Sequence, residues 1–331
     1  MTAAGGSTIG VRGQRASGQT KRSGLIASGR RPGGPWLLAC DLDGTLLDPA
    51  KVLRASVKRA VRVVRDAGAV VVLATGRSPW TVTAIARELD LRGPQIMMNG
   101  GLYASPVSGE IVWARQMSPA LVDEAMAFAS RLGARPLICC LDGHVLVSPI
   151  DVDAVDDVPD FAVGPRLRVV PTSAVVEVRN PIRVYVRTDP AHHRRALAAA
   201  RAWFPPARAS IVWSDEFGLE ILAPGTNKGQ ALRRVARAMG IGRDEVAAIG
   251  DGPNDLEMLA FAGRSAAMEP GPEELRTAAG LVVPCSADDG AIEAMRRFFP
   301  GLDLADEPDT NRRTLGTAGD EPGPDQDESA A

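Results

Sequence analysis

The sequence holds few of the residues that build disulfides, zinc sites and histidine-dependent catalysis. Its 331 residues include four cysteines and three histidines. The cysteines form no C-x-x-C pair and have no histidine at zinc-site spacing, which excludes the common zinc motifs. We therefore expect buried, reduced thiols at Cys40, Cys139, Cys140 and Cys285.

The sequence also lacks a long apolar run and a large excess of one charge. No window approaches the roughly 18 apolar residues of a membrane span, and residues 1–34 lack the apolar core of a secretory signal. The net charge of -2 gives no reason to expect nucleic acid or an anionic membrane as a partner. With 45% hydrophobic and 24% charged residues, the composition is that of an ordinary globular protein, and we expect it in the cytoplasm.

Charge is concentrated at the two ends of the chain. Residues 1–34 carry six basic residues and no acid, whereas residues 302–331 carry nine acids and two arginines. The first segment is rich in Gly, Ser and Arg, and the second is rich in Pro, Asp and Glu. We therefore predict a disordered basic extension over 1–34 and a disordered acidic tail over 301–331.

Three short apolar runs have the character of strands buried on both faces of a parallel sheet. They occupy residues 36–40, 69–74 and 246–249. Each run stops at a polar cluster, beginning at Asp41, Thr75 and Gly250. Because the carboxyl ends of parallel strands meet at one edge of a sheet, where ligands bind, the clusters predict a single site built from distant sequence.

The sequence shows alternating strand and helix patterns at first, then a different pattern in the middle, and the alternating pattern again near the end. Up to residue 100 the order is βαβαβ, which predicts a parallel sheet with right-handed crossovers. From about 101 to 222, short strands beside a few helices favour an α+β unit with a mainly antiparallel sheet, and 149–180 reads as a long loop. Since the first rhythm resumes after Thr226, the pattern predicts an α/β fold with an inserted α+β domain.

Asp41 and Asp43 lie two residues apart, directly after the first predicted strand. Asp41 would attack phosphorus as a nucleophile, while Asp43 would protonate the leaving oxygen and later deprotonate water. These roles need different charge states, with Asp41 ionised and Asp43 protonated for part of the cycle. Two solvated acids in a turn are the alternative. The full string Asp-Leu-Asp-Gly-Thr-Leu-Leu after an apolar strand argues against it.

Hydroxyl and cationic side chains suited to phosphate occur at two further positions. Thr75 offers a hydroxyl donor after the second strand, and Arg77 could add positive charge beside it. Lys228 opens a predicted helix, where the helix dipole disfavours a cation unless an anion is bound there. Each signal is weak alone, because a plain strand-to-helix turn or an exposed lysine also explains it.

The segment 250–255 places the carboxylates of Asp251 and Asp255 and the amide of Asn254 in a Gly/Pro turn. Such oxygen ligands suit Mg²⁺, which keeps several waters and shares phosphate oxygens. A calcium EF-hand would need a loop of about 12 residues closing with Glu, which does not occur here. The turn therefore predicts a magnesium site that orients a phosphoryl group.

Taken in order, these motifs resemble those of the haloacid dehalogenase superfamily of phosphatases. The matching strings are Asp41-Leu-Asp-Gly-Thr-Leu-Leu, Thr75-Gly-Arg, Lys228 and Gly250-Asp-Gly-Pro-Asn-Asp255. Further strings resemble the Cof-type branch, subclass IIB: Asn99-Gly100-Gly101, Asn254-Asp255-Leu-Glu-Met-Leu259 and Ala287-Asp-Asp-Gly290. The resemblance implies a Rossmann-like parallel sheet core over 35–100 and 225–300. An inserted α/β cap over 101–224 would close over the substrate and set specificity.

The resemblance also implies roles for individual residues. Asp41 would be the nucleophile and Asp43 the acid/base. Mg²⁺ would be held by the Asp41 carboxylate, the Asp43 backbone carbonyl and Asp251, with Asp255 close by or acting through water. We expect the phosphate-binding residues to be Gly44, Thr75, Arg77, Lys228 and Asn254.

The predicted function is Mg²⁺-dependent hydrolysis of a small phosphomonoester, such as a sugar phosphate, through an aspartyl-phosphate. The alternatives are a phosphotransferase or phosphomutase using the same intermediate, and a non-catalytic module that binds a phosphorylated metabolite. The mechanism needs no histidine, and we expect surface or cap positions for His144, His192 and His193. Trp213 and Phe217 flank an acidic turn and are expected to pack a hairpin, with contact to substrate as the alternative. Glu220, just before the return to the core, is a candidate to face the active site.

Overall fold

A computed structural model of the protein describes residues 36–147, 166–169, 179–215 and 218–304. These residues form eight α-helices and fourteen strands. The strands are β1 (Leu37–Cys40), β2 (Val70–Leu73), β3 (Gln95–Met97), β4 (Leu102–Ala104), β5 (Ile111–Ala114), β6 (Arg135–Cys140), β7 (His144–Val147), β8 (Arg166–Val169), β9 (Pro181–Arg187), β10 (Ser210–Asp215), β11 (Gly218–Leu222), β12 (Val246–Gly250), β13 (Arg264–Met268) and β14 (Leu281–Val283). The helices are α1 (Ala55–Asp66), α2 (Pro79–Glu88), α3 (Pro119–Arg131), α4 (His193–Trp203), α5 (Lys228–Met239), α6 (Leu256–Phe261), α7 (Glu273–Ala278) and α8 (Gly290–Phe298).

Five strands form a parallel sheet in the order β14-β13-β12-β1-β2. Every residue of β1 and β12 is buried, because helices cover the sheet on both faces. Leu38 and Cys40 share an apolar cluster with α1 and α8, whereas Leu37 and Ala39 share one with α5 and α6. The apolar runs of the sequence are therefore strands buried on both sides.

Helix α5 is delimited by local sequence signals that fix its first residue at the edge of this sheet. Asn227 caps it, since its side-chain oxygen accepts a hydrogen bond from the Gln230 amide at 2.7 Å. Gly240 ends it with a φ of +68°. The helix buries one face through Ala231, Leu232, Val235 and Ala236. Lys228 is thereby held at the start of a helix that is packed firmly on the sheet.

The third predicted strand continues the parallel sheet only through a single bridge and otherwise belongs to a separate sheet. β3 pairs antiparallel with β4, and β4 with β5, in a separate three-stranded sheet. Its parallel contact with the first sheet is a bridge between Ala74 and Ile96. Met98, Asn99 and Gly100 have φ of +51°, +51° and +91°, so the chain reverses and β4 runs back along β3. The predicted βαβαβ order is confirmed, and β3 runs parallel to β2 where they touch, but the pattern did not show the antiparallel pairing with β4 that follows the turn.

Six strands form a second large sheet in the order β10-β11-β9-β6-β7-β8. Its neighbours are antiparallel except β7 and β8, in line with the predicted mainly antiparallel sheet. Helices α3 and α4 cover one face, where Phe128, Ala200 and Phe204 are buried. Residues of the other face share an apolar cluster with the first part of the chain, among them Leu137, Cys139 and Tyr185. That face therefore lies toward the parallel sheet and its loops.

The remaining sequence predictions concern the chain ends, a long loop, the cysteines and membrane spans. The predicted basic extension over 1–34, the predicted acidic tail beyond residue 304, most of the 149–180 loop and Phe217 lie outside the described residues; the first residues of that tail, 301–304, are described, and Leu304 is buried. Cys40, Cys139 and Cys140 are buried free thiols, but Cys285 is only half-buried, because it lies in the turn before α8. Among the described residues, no helix has the length and apolar character needed to cross a bilayer.

Candidate active site

The three polar clusters meet at the carboxyl edge of the parallel sheet. Asp41 follows β1, Thr75 follows β2 within two residues, and Asp251 follows β12. The Asp41 amide donates to the Ile249 carbonyl at 3.0 Å, so the ends of β1 and β12 are joined side by side. The parallel topology thus brings together residues more than 200 positions apart in the sequence.

Three carboxylates form a tight group at this edge. Asp41, Asp251 and Asp255 each offer an oxygen, and these oxygens lie within 4.8 Å of one another. Gly44 makes the approach possible: a Cβ at this residue would lie 2.2 Å from Asp251 Oδ2, and its φ is +76°. The Thr45 hydroxyl donates to Asp251 Oδ1 at 2.9 Å and orients that carboxylate.

Lys228 lies inside the carboxylate group. Its Nζ is 2.9 Å from Asp41 Oδ1 and 2.7 Å from Asp255 Oδ1, and its side chain is fully buried. Burial lowers the pKa of Lys228, but the charges of Asp255 and Asp41 outweigh burial and raise it, so the ammonium stays protonated. Lys228 was expected to contact phosphate; in this structure its ammonium contacts the carboxylates of Asp41 and Asp255.

The group is negatively charged and poorly solvated. Burial raises the pKa of Asp41 well above its usual value, with Lys228 opposing this and Asp255 and Asp251 adding to it. Burial and the charge of Asp255 raise the pKa of Asp251 to about 6. Three carboxylates and one ammonium leave two negative charges in excess when all are ionised. Hard oxygen donors with that excess fit a divalent cation such as Mg²⁺.

Asp43 has a different environment from the one its proposed role requires. Arg77 binds it with two parallel hydrogen bonds of 2.7 Å, and Lys51 Nζ is 2.8 Å from it. Burial raises the pKa of Asp43, but these two cations outweigh burial and lower it to about 2. Arg77 and Lys51 therefore favour the ionised form of Asp43, whereas its predicted role as an acid requires it to hold a proton for part of the cycle. Arg77, expected at the phosphate, is committed to this pair.

The remaining polar residues line the same edge. Thr75 is buried, and its Oγ1 accepts a hydrogen bond from the Arg77 amide at 3.1 Å. Asn254 Nδ2 donates to Asn99 Oδ1 at 3.0 Å. Asn99 is fully buried, and its backbone has a positive φ of +51°. The predicted phosphate residues thus lie together, with Asn99 added to them.

Sequence reasoning missed some of these neighbours. Asn99-Gly100-Gly101 was noticeable as a turn signal, so Asn99 could have been found from it. Nothing in the sequence marks Lys51, which reaches Asp43 from the loop between β1 and α1. Glu220 is buried and pairs with Arg183, a residue that the motifs do not single out.

A cavity of about 440 Å³ opens beside the site. Lys228, Asn254 and Asn99 line one side, and residues of β10, including Val212 and Trp213, line the other. The cavity therefore joins the edge of the parallel sheet to the edge of the six-stranded sheet.

The histidines contribute nothing to this cluster of contacts. His192 is exposed and His144 half-buried, whereas His193 is buried against Trp213, with ring centroids 5.0 Å apart. His193 Nδ1 lies 3.0 Å from the Thr188 hydroxyl. Trp213 therefore packs on helix α4 and also lines the cavity.

Comparison with known proteins places the fold and the motifs in one family. The model for haloacid dehalogenase-like hydrolases matches residues 38–295. A haloacid dehalogenase-like hydrolase from B. subtilis has a TM-score of 0.68 at 21% identity, covering 80% of this chain and 100% of that one. A subclass IIB sugar phosphatase has a TM-score of 0.66 at 22% identity, covering 79% and 98%. These structural likenesses show the fold.

Curated relatives carry several names. A phosphoglycolate phosphatase of Methanoculleus marisnigri is 26% identical over 265 residues, covering 80% of this chain and 97% of that protein. The 5-amino-6-(5-phospho-D-ribitylamino)uracil phosphatase YitU of Bacillus subtilis is 24% identical over 276 residues, covering 80% and 98%. The chloroplastic endoribonuclease YBEY of Arabidopsis thaliana is 26% identical over 269 residues, and the chain spans 46% of that longer protein. The predicted family, fold class and phosphatase type of enzyme are confirmed: the chain belongs to the haloacid dehalogenase-like hydrolases.

Proposed function

We propose that the protein is a Mg²⁺-dependent phosphatase that hydrolyses a small phosphomonoester through an aspartyl-phosphate on Asp41. One observation carries the proposal. The Asp41 carboxylate lies 2.9 Å from the buried Lys228 ammonium and within 4.8 Å of the oxygens of Asp251 and Asp255. A nucleophilic carboxylate beside fixed positive charge and cation-binding acids is what phosphoryl transfer to an aspartate requires.

In the proposed reaction, an Asp41 oxygen bonds to phosphorus as the bond to the leaving oxygen breaks. Asp43 gives its proton to that leaving oxygen, and then accepts one from the water that hydrolyses the aspartyl-phosphate. Inorganic phosphate and regenerated Asp41 result. Since Arg77 and Lys51 hold Asp43 ionised in this structure, its work as an acid requires these contacts to loosen when substrate binds.

The carboxylates of Asp41, Asp251 and Asp255, with the backbone carbonyl of Asp43, would hold Mg²⁺. The ion would orient the phosphoryl group and neutralise its charge. Phosphate oxygens would be bound by hydroxyl, amide, backbone and cationic groups of the same edge. They belong to Gly44, Thr75, Arg77, Lys228 and Asn254.

The substrate class proposed is a small phosphorylated metabolite, such as a sugar phosphate. Support comes from the relatives named for phosphoglycolate and for a phosphoribitylamino-uracil, and from the sugar phosphatase that shares the fold. We assign residues 35–100 and 225–300 to the catalytic core and 101–224 to a cap that sets specificity. The proposal includes a cytoplasmic location and requires neither nucleic acid nor a membrane.

The function is tested by assaying the purified protein, with Mg²⁺ and with EDTA, against a panel of metabolite phosphates and an aryl phosphate. We expect Mg²⁺-dependent release of inorganic phosphate equal to substrate loss, and no detectable turnover by Asp41→Asn. Asp66→Asn is the matched control, because Asp66 is exposed and pairs only with its neighbour Arg65 among the contacts described here. Substrate loss without phosphate release would indicate a phosphotransferase, and saturable binding without turnover a binding module.

A further inference from the structure

A buried ion pair lies on the face of the six-stranded sheet that is turned toward the site. Arg183 of β9 and Glu220 of β11 are both fully buried, with Nη1 and Oε1 3.0 Å apart. In the strand register Arg183 faces Leu222 and Glu220 faces Tyr185, so the two are diagonal neighbours on one face. Because desolvation offsets most of the attraction in such a pair, a contribution to stability does not by itself explain it.

Two further contacts of Arg183 reach the turn that carries Thr75 and Arg77. Its Nη1 donates to the Gly76 carbonyl at 2.6 Å, and its Nη2 donates to the Ser78 hydroxyl at 3.1 Å. Ser78 is the N-cap residue of α2, yet its side chain makes no capping hydrogen bond. A hydroxyl that ordinarily serves its own helix is thus used by a residue of another sheet.

These contacts fix the orientation of one peptide group. The Gly76 carbonyl and the Arg77 amide belong to the same planar trans peptide, so they point in opposite directions. With the carbonyl bound to Arg183, the amide points to Thr75 and donates to its Oγ1 at 3.1 Å. A hydroxyl oxygen that accepts this hydrogen bond keeps its own hydrogen for a different acceptor.

We propose that Arg183, held by Glu220, is a positioning residue that orients the Thr75 hydroxyl toward phosphate through the Gly76–Arg77 peptide. The geometry of the phosphate site then depends on the position of the six-stranded sheet relative to the turn at Gly76. A cap that shifts or lifts withdraws the guanidinium from Gly76 and loosens the phosphate donors. The inference rests on the proposed function, because it assigns Thr75 to phosphate.

The first test removes the guanidinium of Arg183 without leaving a buried charge unpaired. Arg183→Met alone leaves Glu220 buried without its partner, which can prevent folding, so the variant used is Arg183→Met/Glu220→Met. We expect native circular dichroism and a near-native urea midpoint. The Kd of inorganic phosphate, measured by calorimetry with Mg²⁺, should rise about 10- to 100-fold, and kcat/KM for an aryl phosphate should fall by a similar factor. Arg297→Met/Glu293→Met removes an ion pair in α8 between exposed Arg297 and half-buried Glu293; it is the matched control and should bind phosphate as wild type does.

The second test separates positioning from a merely structural role by a double-mutant cycle with Thr75→Val. If Arg183 acts through the Thr75 hydroxyl, the paired substitution should change phosphate affinity less than about twofold in the Thr75→Val background. Equal losses in both backgrounds would overturn the proposal, as would wild-type phosphate affinity in the paired variant. If the wild type turns over no phosphate ester but binds phosphate, the proposed function fails while this comparison still decides the role of Arg183. A wild type that binds no phosphate contradicts both.

Discussion

Asp43 is the residue whose charge depends most on its neighbours. Two cations, Arg77 and Lys51, hold it, and its pKa falls from the usual 3.8 to about 2 although burial acts in the opposite direction. A carboxyl whose pKa is lowered on folding contributes stability above its unfolded pKa and loses it as pH falls through the folded pKa. The contribution of Asp43 is therefore complete above about pH 4 and lost toward about pH 2.

Replacing Arg77 tests this dependence on pH. Urea unfolding at pH 7 should show Arg77→Met to be less stable than wild type by about 1–2 kcal/mol, a value reduced for the partial exposure of Asp43. At pH 3 the difference should shrink, because the Asp43 carboxyl of the unfolded chain is then largely protonated, whereas the folded wild type still holds it ionised against Arg77. Arg208→Met, which removes an exposed ion pair with Glu124, serves as the control, with less than about 0.5 kcal/mol at either pH. A difference of equal size at both pH values would show that Arg77 stabilises the fold without acting on Asp43.

At this scale, the sequence predicts which residues meet but not their charge states. Asp41, Asp251 and Asp255 come together as expected, because the strand ends that carry them are fixed by the sheet. The charge of Asp43 could not be predicted, since Lys51 reaches it from an irregular loop. Whether Arg77 turns to phosphate or to Asp43 depends on side-chain direction, which no motif encodes.

At the scale of elements, the turn after β1 carries the closest approach in the site. Gly44 lets the Asp251 carboxylate lie against the backbone, where a Cβ would come within 2.2 Å of Oδ2. Gly68, in the turn after α1, also has a positive φ, of +101°, but a Cβ there would meet nothing within 4 Å. The two glycines therefore share a positive φ, which would strain any substituted side chain, and differ in what surrounds them.

Alanine substitutions at these two positions separate backbone strain from the geometry of the site. Both Gly44→Ala and Gly68→Ala should lose about 1–2 kcal/mol of unfolding free energy, because both place a side chain in the left-handed region. Only Gly44→Ala should lose activity, by about tenfold or more in kcat/KM, since Asp251 must move. Urea unfolding and steady-state kinetics on the two variants measure these effects. Equal kcat/KM in the two would mean that Asp251 tolerates displacement.

The elements themselves were predictable where one signal dominates. β1 and β12 follow from uninterrupted apolar runs, and α5 from its cap and apolar face. The patterns did not predict β4, β8, α7 or α8, because these are short or lack a distinct boundary signal. β3 was found as a strand parallel to β2, but its antiparallel pairing with β4 was not predicted, since that pairing depends on the turn at Asn99.

At the scale of the whole molecule, the site is assembled by chain topology. The parallel sheet takes its strands from residues before 74 and after 245, and the six-stranded sheet takes its strands from residues between 135 and 222. The change in the strand and helix pattern of the sequence predicted that one domain is inserted into the other. It could not show that a buried arginine of the second sheet binds the turn at Gly76, because that contact exists only once the two sheets are packed.

The most direct test of the central claim is to look for the phosphoryl group on Asp41. The protein is mixed with Mg²⁺ and a phosphomonoester that it hydrolyses, and the reaction is quenched in acid within the first turnovers. The quenched protein is then digested and its peptides are analysed by mass spectrometry. The proposed mechanism predicts one added phosphoryl group on the peptide that contains Asp41, and none on the same peptide of Asp41→Asn. An unmodified Asp41 peptide, together with wild-type turnover by Asp41→Asn, would contradict it.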